Sequence, residues 1–360
     1  MSSNTVIRVL DLGYVSPVRS QTVYHAVAHA MTADGPDTII LVSPNAPYVC
    51  IGYHQELDKE VDVNYCSSRG LPVVRREVGG GAVYLDKDQL FAQWVFRRNR
   101  LPAAIERRFE LYVLPLVETY RALGIDAYHR PVNDVHVAGR KIGGTGAASI
   151  GEAEIVVGSL MFDFDFEMMA RVLKVPSEKM RDKVHQSLRE YMTTMARELQ
   201  QVPDRETVKA LYLERCRLAL GRDLALGSLS EREETLAHEL DERFVSAEWL
   251  NRKGGLRQDG VKIHEDVRVV ETAHKAPGGL IRVTARLLHG RIDDVTISGD
   301  FTLLPVAALG ALEEDLRGAS VRPDDLVRRI RGVYQRMGAQ SPGVAPEDFV
   351  AALMAAIGEG

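Results

Sequence analysis

The sequence has few cysteines and no long apolar run, and each of these absences excludes a class of protein. It contains 3 cysteines in 360 residues, Cys50, Cys66 and Cys216, and their wide spacing fits neither a metal-binding motif nor a disulfide framework. We therefore expect reduced, mostly buried thiols, which are typical of a cytoplasmic protein. No apolar run approaches the roughly 20 residues of a membrane span, and residues 1–12 lack the features of a secretion signal. The sequence argues for a cytoplasmic location and against a membrane partner.

The sequence also lacks a strong excess of either charge. Its 45 lysines and arginines and 50 aspartates and glutamates give a net charge of -5, and the basic residues are spread along the chain. Without a concentrated basic patch, nucleic acid is not expected as a partner. Hydrophobic residues make up 45% and charged residues 26% of the chain, which is typical of a folded protein. Because the chain is longer than one hydrophobic core usually serves, we expect two domains.

Apolar spacing predicts an α/β fold of the α+β type, in which helices cover a mixed β-sheet. Asp62 is expected to cap a short helix that Gly70 ends, and Gly124 is expected to stop a longer one. Strands are predicted at residues 6–12, 38–42, 48–52, 72–78, 82–85, 90–96 and 153–164, helices at 20–31, 104–123 and through most of 167–244, and a hairpin at 134–142 that turns near Gly139.

The second half of the chain predicts a smaller unit. Residues 251–262 are rich in glycine and charge, which indicates a linker. Beyond it, strands are predicted at residues 281–288 and 292–298, and helices at 304–316, 323–333 and 346–357. We therefore predict a catalytic domain over residues 1–250, a linker over 251–262, and a small α/β accessory domain over 263–360.

The least ordinary stretch runs from Arg75-Arg76 through Gly79-Gly80-Gly81 to Asp86. Three consecutive glycines between strands are costly, because glycine loses much backbone entropy and packs no side chain. A functional interpretation is a ligand held against exposed N–H groups, with Arg75 or Arg76 donating to an anionic oxygen. The alternative is a tight bend with arginines in solvent. The adjacent arginine pair favours a binding site.

A second candidate stretch covers residues 130–146. Asn133 and Asp134 suit a turn or a polar ligand contact, and Lys141 lies between the predicted turn and a glycine cluster. This lysine could reach a phosphate or carbonyl oxygen. The alternative is a solvated lysine before a flexible loop that contains Gly143, Gly144 and Gly146. Neither a dinucleotide fingerprint nor the common ATPase phosphate loop is present.

Together these two stretches resemble the lipoate-protein ligase family. Matching segments are Arg75-Arg76, Gly79-Gly80-Gly81-Ala82-Val83, Asp86, Asn133-Asp134, Gly139-Arg140-Lys141 and residues 51–55, while residues 278–283, 290–292, 298–301 and 316–318 look like the family's accessory domain. The chain departs from the family at Leu85 and Val157, where a histidine is usual, and at Asp88-Gln89, where Gly-Asn is common.

The resemblance implies a fold shared with biotin ligases and octanoyltransferases. It implies that ATP, accompanied by Mg²⁺, activates lipoate or octanoate as an acyl-adenylate. The acyl group is then transferred to a lysine of a lipoyl carrier: a 2-oxo acid dehydrogenase lipoyl domain, a glycine-cleavage H protein or an H-like protein. Lys141 would be catalytic. The residues expected to bind ATP or lipoyl-AMP are Arg76, Gly79, Gly80, Gly81, Ala82, Val83, Tyr84, Asn133, Asp134 and Lys141. Asp163 and Asp165 alternate on a predicted strand, and we interpret them as solvated charges, so no metal site is expected.

Two other functions stay open. An octanoyltransferase would need no ATP, and members with this architecture use a cysteine nucleophile. No cysteine occurs near Lys141 in sequence, and Cys66 and Cys216 fall in helical patterns, which favours the ligase. A non-catalytic binding protein of the same fold would be expected to keep its glycines for folding but not Lys141. A biotin ligase is disfavoured because the family's Gly-Arg-Gly-Arg-type loop is missing.

Overall fold

The structure is a computed structural model that describes residues 6–253 and 267–358. The strands are β1 (Ile7–Val15), β2 (Thr38–Pro44), β3 (Tyr48–Ile51), β4 (Val73–Arg75), β5 (Val83–Leu85), β6 (Gln89–Arg97), β7 (Ala127–Arg130), β8 (Asp134–Val137), β9 (Arg140–Ile150), β10 (Ala153–Met161), β11 (Leu224–Leu226), β12 (Val267–Ala276), β13 (Gly279–Leu288) and β14 (Arg291–Gly299). The helices are α1 (Arg19–Ala30), α2 (Leu57–Glu60), α3 (Val63–Ser68), α4 (Ile105–Ala122), α5 (Phe166–Val172), α6 (Glu178–Tyr191), α7 (Met195–Glu198), α8 (Arg205–Leu220), α9 (Glu231–Phe244), α10 (Ala247–Leu250), α11 (Ala308–Leu316), α12 (Pro323–Met337) and α13 (Pro346–Gly358).

An eight-stranded mixed sheet forms the centre of the molecule, in the order β11-β1-β2-β6-β10-β9-β8-β7. β1 pairs in parallel with β2 and β11, and the remaining pairs are antiparallel. Helices α4 and α8 pack on one face, and α1 covers the other. Because both faces are covered, β2 and β6 are buried along their whole length. The predicted helix-covered mixed sheet is confirmed.

Local stop signals behave as predicted. The Asp62 carboxylate accepts a hydrogen bond from the Tyr65 N–H and caps α3. Gly70 and Gly124 follow their helices with φ of 62° and 88°, in the left-handed region that favours glycine at a helix end. The predicted ends of both helices are confirmed.

The strands around the glycine run differ from the prediction. Only Val73–Arg75 of residues 72–78 is a strand, and it does not pair with β5. Instead β4 and β5 lie on opposite sides of β3, in a separate three-stranded sheet. The polypeptide between them must therefore cross β3, and residues 76–82 form an arch outside the strands, in which Arg76 and Val78 hydrogen-bond to the backbone of Ile51 and Tyr53.

The hairpin turning at Gly139 is confirmed, since β8 pairs with β9 around a turn where Ala138 and Gly139 have positive φ. The strand β9 then continues to Ile150, so Gly143, Gly144 and Gly146 lie inside a paired strand. The flexible-loop alternative for these glycines is wrong. They are held because Gly143 and Gly144 pair with Val135 and Asp134 of β8, and Gly146 pairs with Val157 of β10.

The placement of Asp163 and Asp165 on a strand was also wrong. β10 ends at Met161, and both aspartates follow it. The Asp165 carboxylate caps α5 by accepting from the Met168 N–H, and the Asp163 carboxylate accepts from the Phe164 N–H at 2.8 Å. Both carboxylates therefore accept backbone hydrogen bonds in the segment where β10 ends and α5 begins.

The C-terminal part builds a second hydrophobic core. β12, β13 and β14 form an antiparallel sheet, and α11, α12 and α13 pack on it. The predicted strands at residues 281–288 and 292–298 are confirmed, and both residues of the turn between them, His289 and Gly290, have positive φ. Sequence patterning missed β12, and it missed the short strand β11 within the helical stretch 167–244. Residues 254–262 of the predicted linker lie outside the described residues.

The two cores meet beside the glycine run. The His54 ring stacks on Phe301, with 5.2 Å between centroids, and the His54 carbonyl accepts from the Gly299 N–H at 3.1 Å. Ser298 donates to the Glu56 carboxylate at 2.6 Å. None of the helices in residues 6–253 and 267–358 combines the length and the apolar character that crossing a bilayer requires.

Candidate active site

The glycine segment, which we define as residues 79–82, is packed closely by other backbone. A Cβ on Gly79 would lie 2.8 Å from the Phe301 carbonyl oxygen, and a Cβ on Gly52 would lie 1.9 Å from the Gly80 carbonyl oxygen. Gly80 also has a φ of 95°, which side-chain-bearing residues rarely adopt. The sequence predicts that something approaches this backbone closely, and the backbone of Phe301 and of Gly52 does so.

The glycine segment presents N–H groups that the protein does not use. Within the described part of the chain, the backbone N–H groups of Gly79, Gly80, Gly81 and Ala82 donate to no other residue. The carbonyls of Gly79 and Gly81 both accept from the Arg76 guanidinium at 2.9 Å. Arg76 thus satisfies carbonyl acceptors of the segment, while its N–H donors stay unused, an arrangement suited to an anion.

The two adjacent arginines have different surroundings. Arg75 is fully buried, and its guanidinium donates to five backbone carbonyls, those of Gly52, Tyr53, Gln55, Trp249 and Leu250. Burial lowers its pKa to about 10. Because the guanidinium is fully buried and bound to these carbonyls, Arg75 is out of reach of a ligand, and it joins residues 52–55 to the end of α10. Arg76 is half-buried and borders the glycine segment.

A buried histidine anchors the start of the arch, and sequence reasoning missed it. His25 of α1 donates from Nδ1 to the Gln21 carbonyl at 2.6 Å and accepts at Nε2 from the Glu77 N–H at 3.1 Å. Burial lowers the His25 pKa to about 4, so the neutral ring that this geometry requires is favoured. No local motif indicates this contact, because 52 residues separate the partners.

Lys141 is paired with Asp134 on the surface of the hairpin. The Lys141 Nζ lies 2.7 Å from the Asp134 Oδ1, and both side chains are half-buried. Gly144 lies opposite Asp134 in the ladder, and a Cβ there would lie 2.9 Å from Nζ. Glycine at 144 therefore leaves the space that the lysine ammonium occupies.

Gly146 brings the hairpin to the glycine segment. A Cβ on Gly146 would lie 2.5 Å from Val78 Cγ1 and 3.7 Å from the Gly79 carbonyl oxygen. Gly144 and Gly146 face the same side of β9, about 7 Å apart at ordinary strand rise. The Lys141 ammonium and the arch therefore lie over neighbouring positions of one sheet face. The two stretches that carried the resemblance are together in space.

The remaining predicted residues have mainly structural contacts. The Asn133 amide donates to the Thr145 carbonyl, while the Asn133 carbonyl accepts from the Thr145 N–H at 2.9 Å, which ties the hairpin entrance to β9. Val83 pairs with Cys50 in the small sheet. Tyr84 is buried, and burial together with nearby Asp86 raises its pKa.

The two positions that depart from the family pattern line apolar surface. Val157 lies opposite Gly146 in the ladder, with its Cγ2 3.9 Å from the Cβ position of that glycine. Leu85 is partly buried against the clusters that contain Val78 and Tyr48. Both side chains therefore present carbon where a histidine would present a polar nitrogen.

Comparison with known families matches residues 17–217 to the lipoyl protein ligase A/B catalytic domain. Lipoate-protein ligase A subunit 1 of Thermoplasma acidophilum is 34% identical over 225 residues, covering 59% of this chain and 83% of that protein. Octanoyltransferase LipM of Kyrpidia tusciae is 29% identical over 274 residues, covering 68% and 98%.

Solved structures resemble the chain as well. A bi-partite lipoate protein ligase of T. acidophilum, described with its E2 lipoyl domain, superposes with a TM-score of 0.63 at 28% identity and covers 72% of this chain and 100% of its own. LipL1 of P. falciparum, in complex with lipoate, gives a TM-score of 0.70 at 12% identity over 98% and 99% of the two chains. At that identity the second likeness shows the fold alone.

Proposed function

The chain belongs to the lipoyl protein ligase A/B catalytic domain family, and from this premise we propose that it is an ATP-dependent lipoate-protein ligase. Lipoate or octanoate is activated as an acyl-adenylate and then transferred to a lysine of a carrier protein. Relatives in the family include both ligases and octanoyltransferases. The choice between them therefore depends on the site itself.

The observation that carries the proposal is Lys141 held over Gly144 by Asp134. In the first half-reaction a carboxylate oxygen attacks the α-phosphorus of ATP, and the bond to pyrophosphate breaks. In the second, the carrier amine attacks the acyl carbon, the bond to AMP breaks, and the amine loses a proton. Negative charge develops on phosphate or carbonyl oxygen in both steps, and a fixed ammonium stabilises it. Asp134 fixes Lys141 within reach of the sheet face next to the glycine segment.

The free N–H groups of the glycine segment support the nucleotide part of the proposal. The N–H groups of residues 79–82 would donate to the phosphate of ATP and of the acyl-adenylate. Arg76 would hold the conformation of the segment by donating to the Gly79 and Gly81 carbonyls. We assign Mg²⁺ to the ATP phosphates and their waters, as part of the substrate, because Mg²⁺ is usually held by substrate phosphates and water.

The state of the cysteines favours a ligase over a cysteine-dependent octanoyltransferase. A thioester route needs an accessible thiolate, and Cys50, Cys66 and Cys216 are free but buried. Burial raises the pKa of all three thiols. Cys50 is the one beside the site, with its Sγ 3.6 Å from an Arg76 nitrogen, but no part of it is exposed.

The carrier is proposed from the same premise. We infer a small lipoyl domain of a 2-oxo acid dehydrogenase, an H protein or an H-like protein, in the cytoplasm, which presents its lysine to the face that carries Lys141. Residues 1–250 would be the catalytic domain and residues 263–360 an accessory domain that packs against the glycine segment through Phe301.

The test is acyl-adenylate formation without a carrier. The purified chain with lipoate, ATP and Mg²⁺ should release pyrophosphate only when the acid is present. Addition of an apo lipoyl domain should then increase its mass by one lipoyl group. Modification that proceeds only from an octanoyl carrier donor, without ATP, would show that the chain is a transferase.

A further inference from the structure

A buried histidine lies behind the Asp134–Lys141 pair. The side chain of His136 is 1% exposed, and its Nε2 lies 3.7 Å from the second carboxylate oxygen of Asp134, Oδ2. A register shift between Val135 and His136 puts His136 directly opposite Lys141. Directly opposed residues of an antiparallel pair face the same side, and so do residues two apart. Asp134, His136 and Lys141 therefore form one group on one face.

The two imidazole nitrogens have different hydrogen-bonding roles. His136 Nδ1 lies 3.2 Å from the Gly139 carbonyl, an acceptor, so this nitrogen carries the hydrogen. Nε2 then holds the lone pair of the neutral ring, and it has no hydrogen-bond partner among the described residues. A lone pair facing a carboxylate oxygen is unfavourable, whereas a proton on Nε2 would satisfy both atoms. The geometry thus offers acceptors on both sides of the ring, which only the charged imidazolium satisfies fully.

The charges around His136 determine whether that proton binds. Burial lowers its pKa, the Gly139 carbonyl and Asp134 act to raise it, and the cations Arg130 and Lys141 act to lower it. The other groups that pack on the ring are Tyr128 of β7 and Tyr191 at the end of α6, at 6.1 Å and 5.8 Å between centroids. Lys141 competes with the proton, because both stabilise the same carboxylate.

We propose that His136 is a positioning residue for Lys141, which takes up a proton and becomes the counter-ion of Asp134 when Lys141 turns to an anionic ligand. The inference rests on the proposed function, because the anion would be the phosphate of the acyl-adenylate. The proton comes from solvent through the partly exposed Asp134 carboxylate, and it returns when the ligand leaves. Asp134 thus has a cationic partner both with and without the ligand. Its carboxylate therefore keeps its position, and Lys141 can pair with it again when the ligand leaves.

The first experiment removes Lys141 and follows His136 directly. Long-range ¹H–¹⁵N spectra of the full chain report the protonation of each imidazole, and the His136 signal is identified by its loss in His136→Gln. In Lys141→Ala the titration midpoint of His136 should rise by about one pH unit, because the competing cation is gone. The matched control is Arg140→Ala, which removes the adjacent cation that is paired with Glu198 instead, and it should leave the midpoint unchanged.

An unchanged His136 midpoint in Lys141→Ala would overturn the proposal, and so would an equal rise in Arg140→Ala. Both measurements need no ligand, so their result is independent of whether the chain is a ligase.

The second experiment measures proton uptake on binding. The probe is a lipoyl-sulfamoyl adenosine, a non-reactive mimic of lipoyl-AMP, titrated calorimetrically at pH 7 in two buffers of different ionisation enthalpy. The unmodified chain should take up a proton fraction that His136→Gln lacks. His129→Gln is the control, since His129 contacts the Val132 carbonyl instead of Asp134, and its uptake should match the unmodified chain. Equal uptake in His136→Gln overturns the proposal, whereas failure of the probe to bind any form contradicts the proposed function and leaves the spectra to decide on His136.

Discussion

Replacing Lys141 tests the site most directly, because its ammonium has a defined position and contributes little to stability. Its side chain is 29% exposed, and its ion pair with Asp134 is partly exposed as well. Such pairs contribute roughly 0.2 to 1 kcal/mol to stability. The free energy of unfolding of Lys141→Ala, measured in urea, should therefore lie within about 1 kcal/mol of that of the unmodified chain.

The effect on catalysis should be much larger. Loss of one charge-stabilising donor typically costs about 3 kcal/mol in the transition state, or about a hundredfold in rate. If Lys141 acts in both half-reactions, adenylate formation and transfer from supplied lipoyl-adenylate should each fall by about this factor. Single-turnover measurement of each step separates the two.

Two further variants test whether placement or charge matters. Lys141→Arg keeps the charge, but a planar guanidinium is broader than an ammonium. The space over Gly144 is already narrow, because a Cβ there would lie 2.9 Å from the Lys141 Nζ. Lys141→Arg should restore little activity. Gly144→Ala keeps the lysine but puts a methyl group against Nζ, and it should lower both rates as well. Near-normal rates for Lys141→Ala in both steps would refute the assignment and leave Lys141 as a solvated surface lysine.

Replacing all three buried cysteines by serine should leave acyl transfer within a few-fold of normal if the variant folds, whereas a folded but inactive variant would favour a thioester route. Gly79→Ala should lower the free energy of unfolding by about 1–3 kcal/mol in urea, because its methyl group would contact backbone atoms. Gly81→Ala should lower it less, because the nearest atom to a Cβ there is 3.7 Å away. Equal losses of unfolding free energy in the two variants would contradict the packing argument. The unfolded chain protonates His25 near pH 6.5 and the folded chain only at about 4, so stability should fall by up to about 3 kcal/mol as the pH drops through that window. His25→Gln should show a shallower fall, and identical pH profiles would refute this origin.

Local features of this protein were determined by the sequence alone. A helix cap at Asp62, stops at Gly70 and Gly124, and a hairpin turn at Gly139 depend on φ, ψ and hydrogen bonds within a few residues. The same holds for the alternation and apolar stripes that predicted the mixed sheet and its covering helices. The family resemblance followed from short motifs, which are likewise local in sequence.

Contacts between distant residues decided the rest. Whether Gly146 lies in a loop or a strand depends on β10, and whether Arg75 can bind a ligand depends on carbonyls of α10. The free N–H groups of residues 79–82 exist because this part of the arch lies between β4 and β5, on opposite sides of β3, and belongs to neither strand. The position of His136 behind Asp134 depends on a single register shift in the hairpin. Sequence patterns cannot show these features, because each is fixed by packing that forms only when separate elements meet.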